Sequence, residues 1–125
     1  MGKWQNDTML DQALNWIKSN ATKMIVCSAQ PTTYSEAVNS YKLADVSITS
    51  ADFTGPADGD ASGRKLTVNA QNSVSIDATG SAQHIALVKD TSSLLLYVTT
   101  CTTQSLTAGG KVNIPAWDIE LSDPQ

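Results

Sequence analysis

From Thr22 onward the chain consists of short runs in which apolar residues recur at every second position, separated by polar turns. Residues 64–70 alternate through Leu66, Val68 and Ala70, and residues 73–78 through Val74, Ile76 and Ala78. A period of two puts one side-chain set on one face of a strand, and such runs at about 8–12 residue spacing mark an antiparallel sandwich or barrel. Composition agrees. Serine and threonine supply 14 residues each, and aspartate outnumbers glutamate ten to two, which favours strands and turns over helices. Lys23-Met24-Ile25-Val26-Cys27 is apolar without alternation, as expected of a central strand covered on both faces.

The period changes only near the start. Leu10, Ala13, Leu14, Ile17 and Ala21 follow i, i+3, i+4, i+7 spacing, which predicts an amphipathic helix over about 7–20. Asn6 or Asp7 can cap it, Asp7 and Asp11 suit its positive end, and Lys18 suits the other. Its stripe is expected to cover one end of the sandwich, and the same helix can also dock on a neighbouring subunit. Further on, Thr33 is expected to cap a helical turn over 34–39, and Gln71-Asn72 to turn a hairpin between the two alternating runs. Ala82, His84, Ala86 and Val88 are expected on one face of a strand, with Ile85 and Leu87 on the other. Residues 94–99 form the most hydrophobic strand, and the last run shifts phase at Pro115-Ala116. The resulting expectation is one domain over 1–125. It comprises the N-terminal helix and, over about 22–121, an antiparallel β-sandwich of about eight strands, jelly-roll or immunoglobulin-like.

Charge and motifs exclude several function classes. Eight basic against twelve acidic residues give a net charge of −4, with a single arginine, Arg64, which disfavours nucleic acid as partner. No apolar run approaches the ~20 residues of a membrane span. Residues 1–6 lack a signal-peptide core, and Asn6 breaks the myristoylation pattern, so synthesis in the cytosol is expected. Cys27 and Cys101 lie in separate strand-like runs, where a disulfide and two buried thiols both remain open. Asp58-Gly59-Asp60-Ala61-Ser62-Gly63 matches the opening of an EF-hand loop. Its twelfth position is Asn69 instead of glutamate, its eighth is Lys65, and it leads into a strand, so it reads as an ordinary turn. His84 is the lone histidine, there is no G-x-S-x-G elbow, and pairing with Cys27 or Cys101 has no motif behind it. No enzyme activity, metal or cofactor is expected.

Residues 19–34 (Ser19-Asn20-Ala21-Thr22-Lys23-Met24-Ile25-Val26-Cys27-Ser28-Ala29-Gln30-Pro31-Thr32-Thr33-Tyr34) resemble a segment in small virion proteins of tailed bacteriophages. So do Asp58-Gly59-Asp60 with Ser62-Gly63-Arg64-Lys65, and Val112-Asn113-Ile114-Pro115-Ala116-Trp117-Asp118-Ile119. The resemblance runs over nearly the whole chain and points to head decoration (cement) proteins. It implies a non-enzymatic virion component, made in the host cytoplasm, that binds the major capsid protein or other virion proteins on the outside of the head. It also implies a β-rich homo-oligomer, such as a trimer, with no catalytic residues. Trp4, Trp16 and Trp117 are the expected contact aromatics, because such side chains supply large area at low entropic cost. Two other readings are a tail, neck or fibre adaptor and a carbohydrate-binding module using Trp117.

Overall fold

The computed structural model describes residues 6–59 and 63–121. The helix forms where its stripe predicts it, as α1 (Asp7–Asn20), with Asn6 as the cap: its side chain accepts from the Thr8 N–H at 2.8 Å. Among the described residues nine strands follow: β1 (Lys23–Cys27), β2 (Lys42–Ser47), β3 (Phe53–Asp58), β4 (Arg64–Val68), β5 (Gln71–Ser75), β6 (Gly80–Lys89), β7 (Leu94–Leu106), β8 (Lys111–Ile114) and β9 (Trp117–Leu121). They pair antiparallel as a four-stranded sheet β2-β1-β6-β7, a three-stranded sheet β3-β4-β9 and a ribbon β5-β8. The protein is mainly β and sandwich-like, as the alternation predicts.

The larger sheet shows why residues 23–27 read as continuously apolar. Met24 and Val26 point from β1 into the main core, and Ile25 and Cys27 point the other way into a second cluster. That outer cluster is roofed by residues 34–41, through Tyr34, Ala37, Val38 and Tyr41. The roof is a helical turn ending in a π-helical segment, Glu36–Ser40, and Thr33 holds its start by accepting from the Glu36 N–H at 3.1 Å.

The Glu36 side chain ties the turn to Thr32 and Tyr41. Its carboxylate accepts from the Thr32 N–H and the Thr32 hydroxyl, both at 2.8 Å, and from Tyr41 Oη at 3.4 Å. The backbone bond from Thr32 is the main cause holding Glu36 below its ordinary value of 4.5. A carboxylate depressed in the folded state stabilises the fold above its unfolded value and loses that contribution as pH falls through the folded one. Acidification below 4.5 is therefore expected to loosen this roof, read as lower protection of the Ala37 and Tyr41 amides against hydrogen exchange relative to their intrinsic rates. In Glu36→Ala the same amides are expected to exchange faster at neutral pH, with no further step on acidification.

The main core runs from α1 to β9: Leu14, Met24, Leu66, Val68, Leu87 and Ile119 are its largest fully buried members. α1 lies against β3 and β4 and closes that side of the sandwich. Leu10, Leu14 and Ala21 are buried, but Ala13 is exposed, because the helix meets the sheets along a stripe narrower than expected. Arg64, at the start of β4, donates from Nε to Asp11 Oδ1 at 2.8 Å and from Nη1 to Asp58 at 2.7 Å, tying α1 to the β3–β4 hairpin. Lys18 Nζ adds a bond to the Gly55 carbonyl at 3.1 Å.

Two local expectations change. Residues 64–78 do not form a hairpin: β4 pairs with β3 and β9, whereas β5 pairs with β8. Leu66, Val68, Val74 and Ile76 all point into the same core, yet the chain crosses between layers at 69–70, where the Asn69 N–H bonds the Asp52 carbonyl. Gln71-Asn72 also lacks the glycine that a two-residue hairpin turn favours. On β6, Ala82 lies with Ile85 and Leu87 in the main core, and Ala86 and Val88 lie in the outer cluster. The pairing with β7 shifts register between Ala82 and His84, and that irregularity flips the phase.

Candidate functional site

The three tryptophans occupy different settings. Trp4 lies outside the described residues. Trp16 projects from α1 and is 50% exposed. Met9, 55% exposed, and Ala13 lie on the same side, since positions 9, 13 and 16 are spaced i, i+4, i+7. α1 thus carries a second apolar stripe, about 100° around the helix from the one that enters the core and exposed among the described residues. Asn20 Nδ2 donates to the Trp16 carbonyl at 2.7 Å, and Lys89 Nζ donates to Asn20 Oδ1 at 2.9 Å, so the end of the helix is pinned to β6. The stripe therefore rides on a helix anchored at both ends.

Trp117 opens β9 and is half-buried. Its ring stacks on Tyr97 of β7, with centroids 6.0 Å apart and planes 21° from parallel, and its Nε1–H donates to Met24 Sδ at 3.4 Å. One edge of the ring also lines a cleft of about 320 Å³ between β7, β8 and the start of β9. Val26, Ile85, Leu106, Val112 and Ile114 form apolar walls, with Thr102, Gln104 and Asn113 among the polar lining residues. Nothing brings Trp16 and Trp117 together, as they belong to different elements and Trp117 is committed to the core.

The remaining candidates lie elsewhere in the fold. In the loop 58–63, Asp60 and Ser62 lie outside the described residues, while Asp58 is engaged by Arg64 and the Gly59 N–H closes the turn on the Gly63 carbonyl at 2.9 Å. Among the described residues no three His, Cys, Asp or Glu side chains cluster in a way that would hold a metal. No described helix is long and apolar enough to cross a membrane. Cys27 on β1 faces His84 on β6 across the sheet. The thiol donates to the Ala37 carbonyl at 3.8 Å, and His84 Nδ1 is buried without a hydrogen-bond partner. A nucleophile–base pair needs the base oriented by a third group and a thiol that ionises readily. Here burial pushes the Cys27 thiol up to about 12.

Cys101 lies on the opposite face of the sheet, packed against the main core, and both cysteines are free. Burial also raises its thiol, but Cys101 is partly exposed. In the native protein at pH 8, a thiol-specific reagent is expected to modify Cys101 and spare Cys27 until the chain unfolds. Mass spectrometry of the labelled peptides checks this.

Two features escape a reading that follows only the strongest period. The outer stripe of α1 was readable as Met9-Ala13-Trp16 once Ala13 is taken off the core face. The cleft depends on how β7, β8 and β9 meet in space, which no local pattern encodes. The chain matches no family model, no curated protein and no solved structure.

Proposed function

We propose that the chain is a non-enzymatic virion structural protein of a tailed bacteriophage. In this reading it is a head decoration (cement) protein, made in the host cytoplasm, that binds the outer capsid surface and stabilises the shell, with the major capsid protein as its partner. The observation that carries the reading is the outward face of α1, where Met9, Ala13 and Trp16 stand exposed on a helix whose other face is locked in the core. A pre-ordered aromatic surface docks with little loss of conformational entropy. Binding the closed shell and not its separated subunits shifts the assembly equilibrium toward the shell by mass action, and many copies make modest single contacts sufficient.

The cleft beside Trp117 favours a second reading, a carbohydrate-binding module. It is the weaker one, since Tyr97 already covers one face of the indole and the walls are largely apolar. The test is to add purified protein back to phage heads stripped of it and measure bound copies by co-sedimentation. Trp16→Ala is expected to melt with the wild type, because the side chain is half in water, and to bind about thirtyfold more weakly, the ~2 kcal/mol of a contact hot spot. Unchanged binding by Trp16→Ala, or binding to glycans and not to heads, contradicts the proposal. Binding to tails alone favours an adaptor instead.

A further inference from the structure

We infer that the outer edge of β7 pairs, over residues 94–100, with the same segment of a second copy of this chain, antiparallel about a two-fold axis. The four-stranded sheet ends on β2 and β7. The β2 edge is covered: Ala44 bridges to Ile76, and the Asp77 and Ala78 N–H groups both bond the Leu43 carbonyl. Among the described residues no strand pairs with the outer side of β7. Its first half, Leu94-Leu95-Leu96-Tyr97-Val98, is the most apolar stretch of the chain, yet none of the five is fully buried and Leu94 is 42% exposed. Natural sheet edges are blunted by lysine, proline or shortness. β7 has 13 residues and contains neither lysine nor proline.

Charge identifies the occupant as a second copy. The chain carries −4, so two copies meet with least repulsion where charged side chains are absent. Residues 91–110 are the longest stretch without Asp, Glu, Lys or Arg, and β7 lies wholly inside it. An antiparallel edge contact of one strand with itself is self-complementary, so an uncharged strand with apolar residues on both faces satisfies its own partner. The register with β6 limits the contact to the first half. Residues 101–103 bulge opposite Gln83, and the far end of β7 bends away. A smaller bulge at Leu96 adds twist, which two-stranded contacts accommodate well. Pairing centred near Tyr97 sets Leu94 beside Thr100 of the second copy, and both positions are exposed.

The contact stands independently of the virion reading, and sedimentation equilibrium of the purified full chain tests it. The expected mass at micromolar concentration is twice the 13.2 kDa of one chain. Leu94→Lys with Thr100→Lys places like charges opposite each other, and Leu94→Glu with Thr100→Glu does the same with the other sign. Each double variant is expected to fold, by circular dichroism, and to sediment at half the wild-type mass. An equimolar mixture of the two is expected to recover the twofold mass through heterodimers. A wild-type mass of one chain at every concentration overturns the inference, as does a mass of three chains. Folded variants that stay dimeric, or that stay monomeric when mixed, overturn it too.

Discussion

Removing residues 1–20 is expected to abolish the folded state of the remaining chain, not merely its attachment to a partner. The reason is where α1 puts its side chains. Leu14 is fully buried and Leu10 nearly so, and both sit on the side of the helix that faces β3 and β4. Burial of a leucine is worth about 1.5–3 kcal/mol, so these two account for roughly 3–6 kcal/mol before Ile17 is counted. Whole domains are stable by only about 5–15 kcal/mol. The deletion also uncovers the part of the core where Phe53, Leu66 and Val68 lie, and it takes Asp11 from Arg64 and Lys18 from the Gly55 carbonyl. Far-ultraviolet circular dichroism with a thermal scan is the check, with loss of the cooperative transition as the expected result. A truncated chain that melts cooperatively close to the full-length protein would show that the sheets are self-sufficient. The sequence-based idea that the stripe only covers one end of the sandwich underestimates this: the cover is part of the core.

The second large effect is at Trp117. Its replacement by alanine removes a ring that stacks on Tyr97, a hydrogen bond to Met24 Sδ and one wall of the 320 Å³ cleft. Aromatic-to-alanine changes in cores cost about 3–5 kcal/mol, and a half-buried ring belongs at the lower end of that range, near 3 kcal/mol. Because the void opens into an existing cleft, water can enter it, so neighbouring side chains gain little by collapsing. Trp117→Phe keeps an aromatic ring against Tyr97 but loses the N–H donor and part of the packed ring area, and a loss of about 1–2 kcal/mol is expected. Urea denaturation of the three proteins orders them as wild type, phenylalanine, alanine. If Trp117→Ala matched the wild type, the indole would be a surface group free to act as a contact residue.

The Trp16→Ala and Trp117→Ala variants separate two tryptophans that composition alone treats alike. Trp16 is expected to matter for binding and little for stability, and Trp117 the reverse.

What the chain discloses in advance follows from how local each signal is. The bounds of α1, the doubly covered β1 and the Thr33-capped turn are each set by neighbours within a few residues, so spacing and cap chemistry reveal them. The alternation over 64–70 and 73–78 also reports that Leu66, Val68, Val74 and Ile76 are inside, although Ala70, at the layer crossing, is exposed. It is silent about which sheet a strand joins, since a strand in either layer of a sandwich shows the same inward period. That is why β4 and β5 read as one hairpin, although they pair with β9 and β8. Bulges are the other blind spot. The register shift between Ala82 and His84 moves Ala82 to the core face, and it accompanies two extra residues on β7, far away in sequence. Strand β3 is hidden for a different reason: Gly55-Pro56 interrupts it, and Phe53 is its only large apolar side chain. The surface features on which the functional reading rests, the outer stripe of α1 and the edge of β7, become visible only once the core has claimed its residues.

Cryo-electron microscopy of purified virions that encode the chain tests the proposed role most directly. The expected map shows many copies of a small β-rich unit on the outside of the head, with the Met9–Ala13–Trp16 side of α1 against the shell. Heads without that density, in particles that carry no copy of the chain, would contradict the assignment.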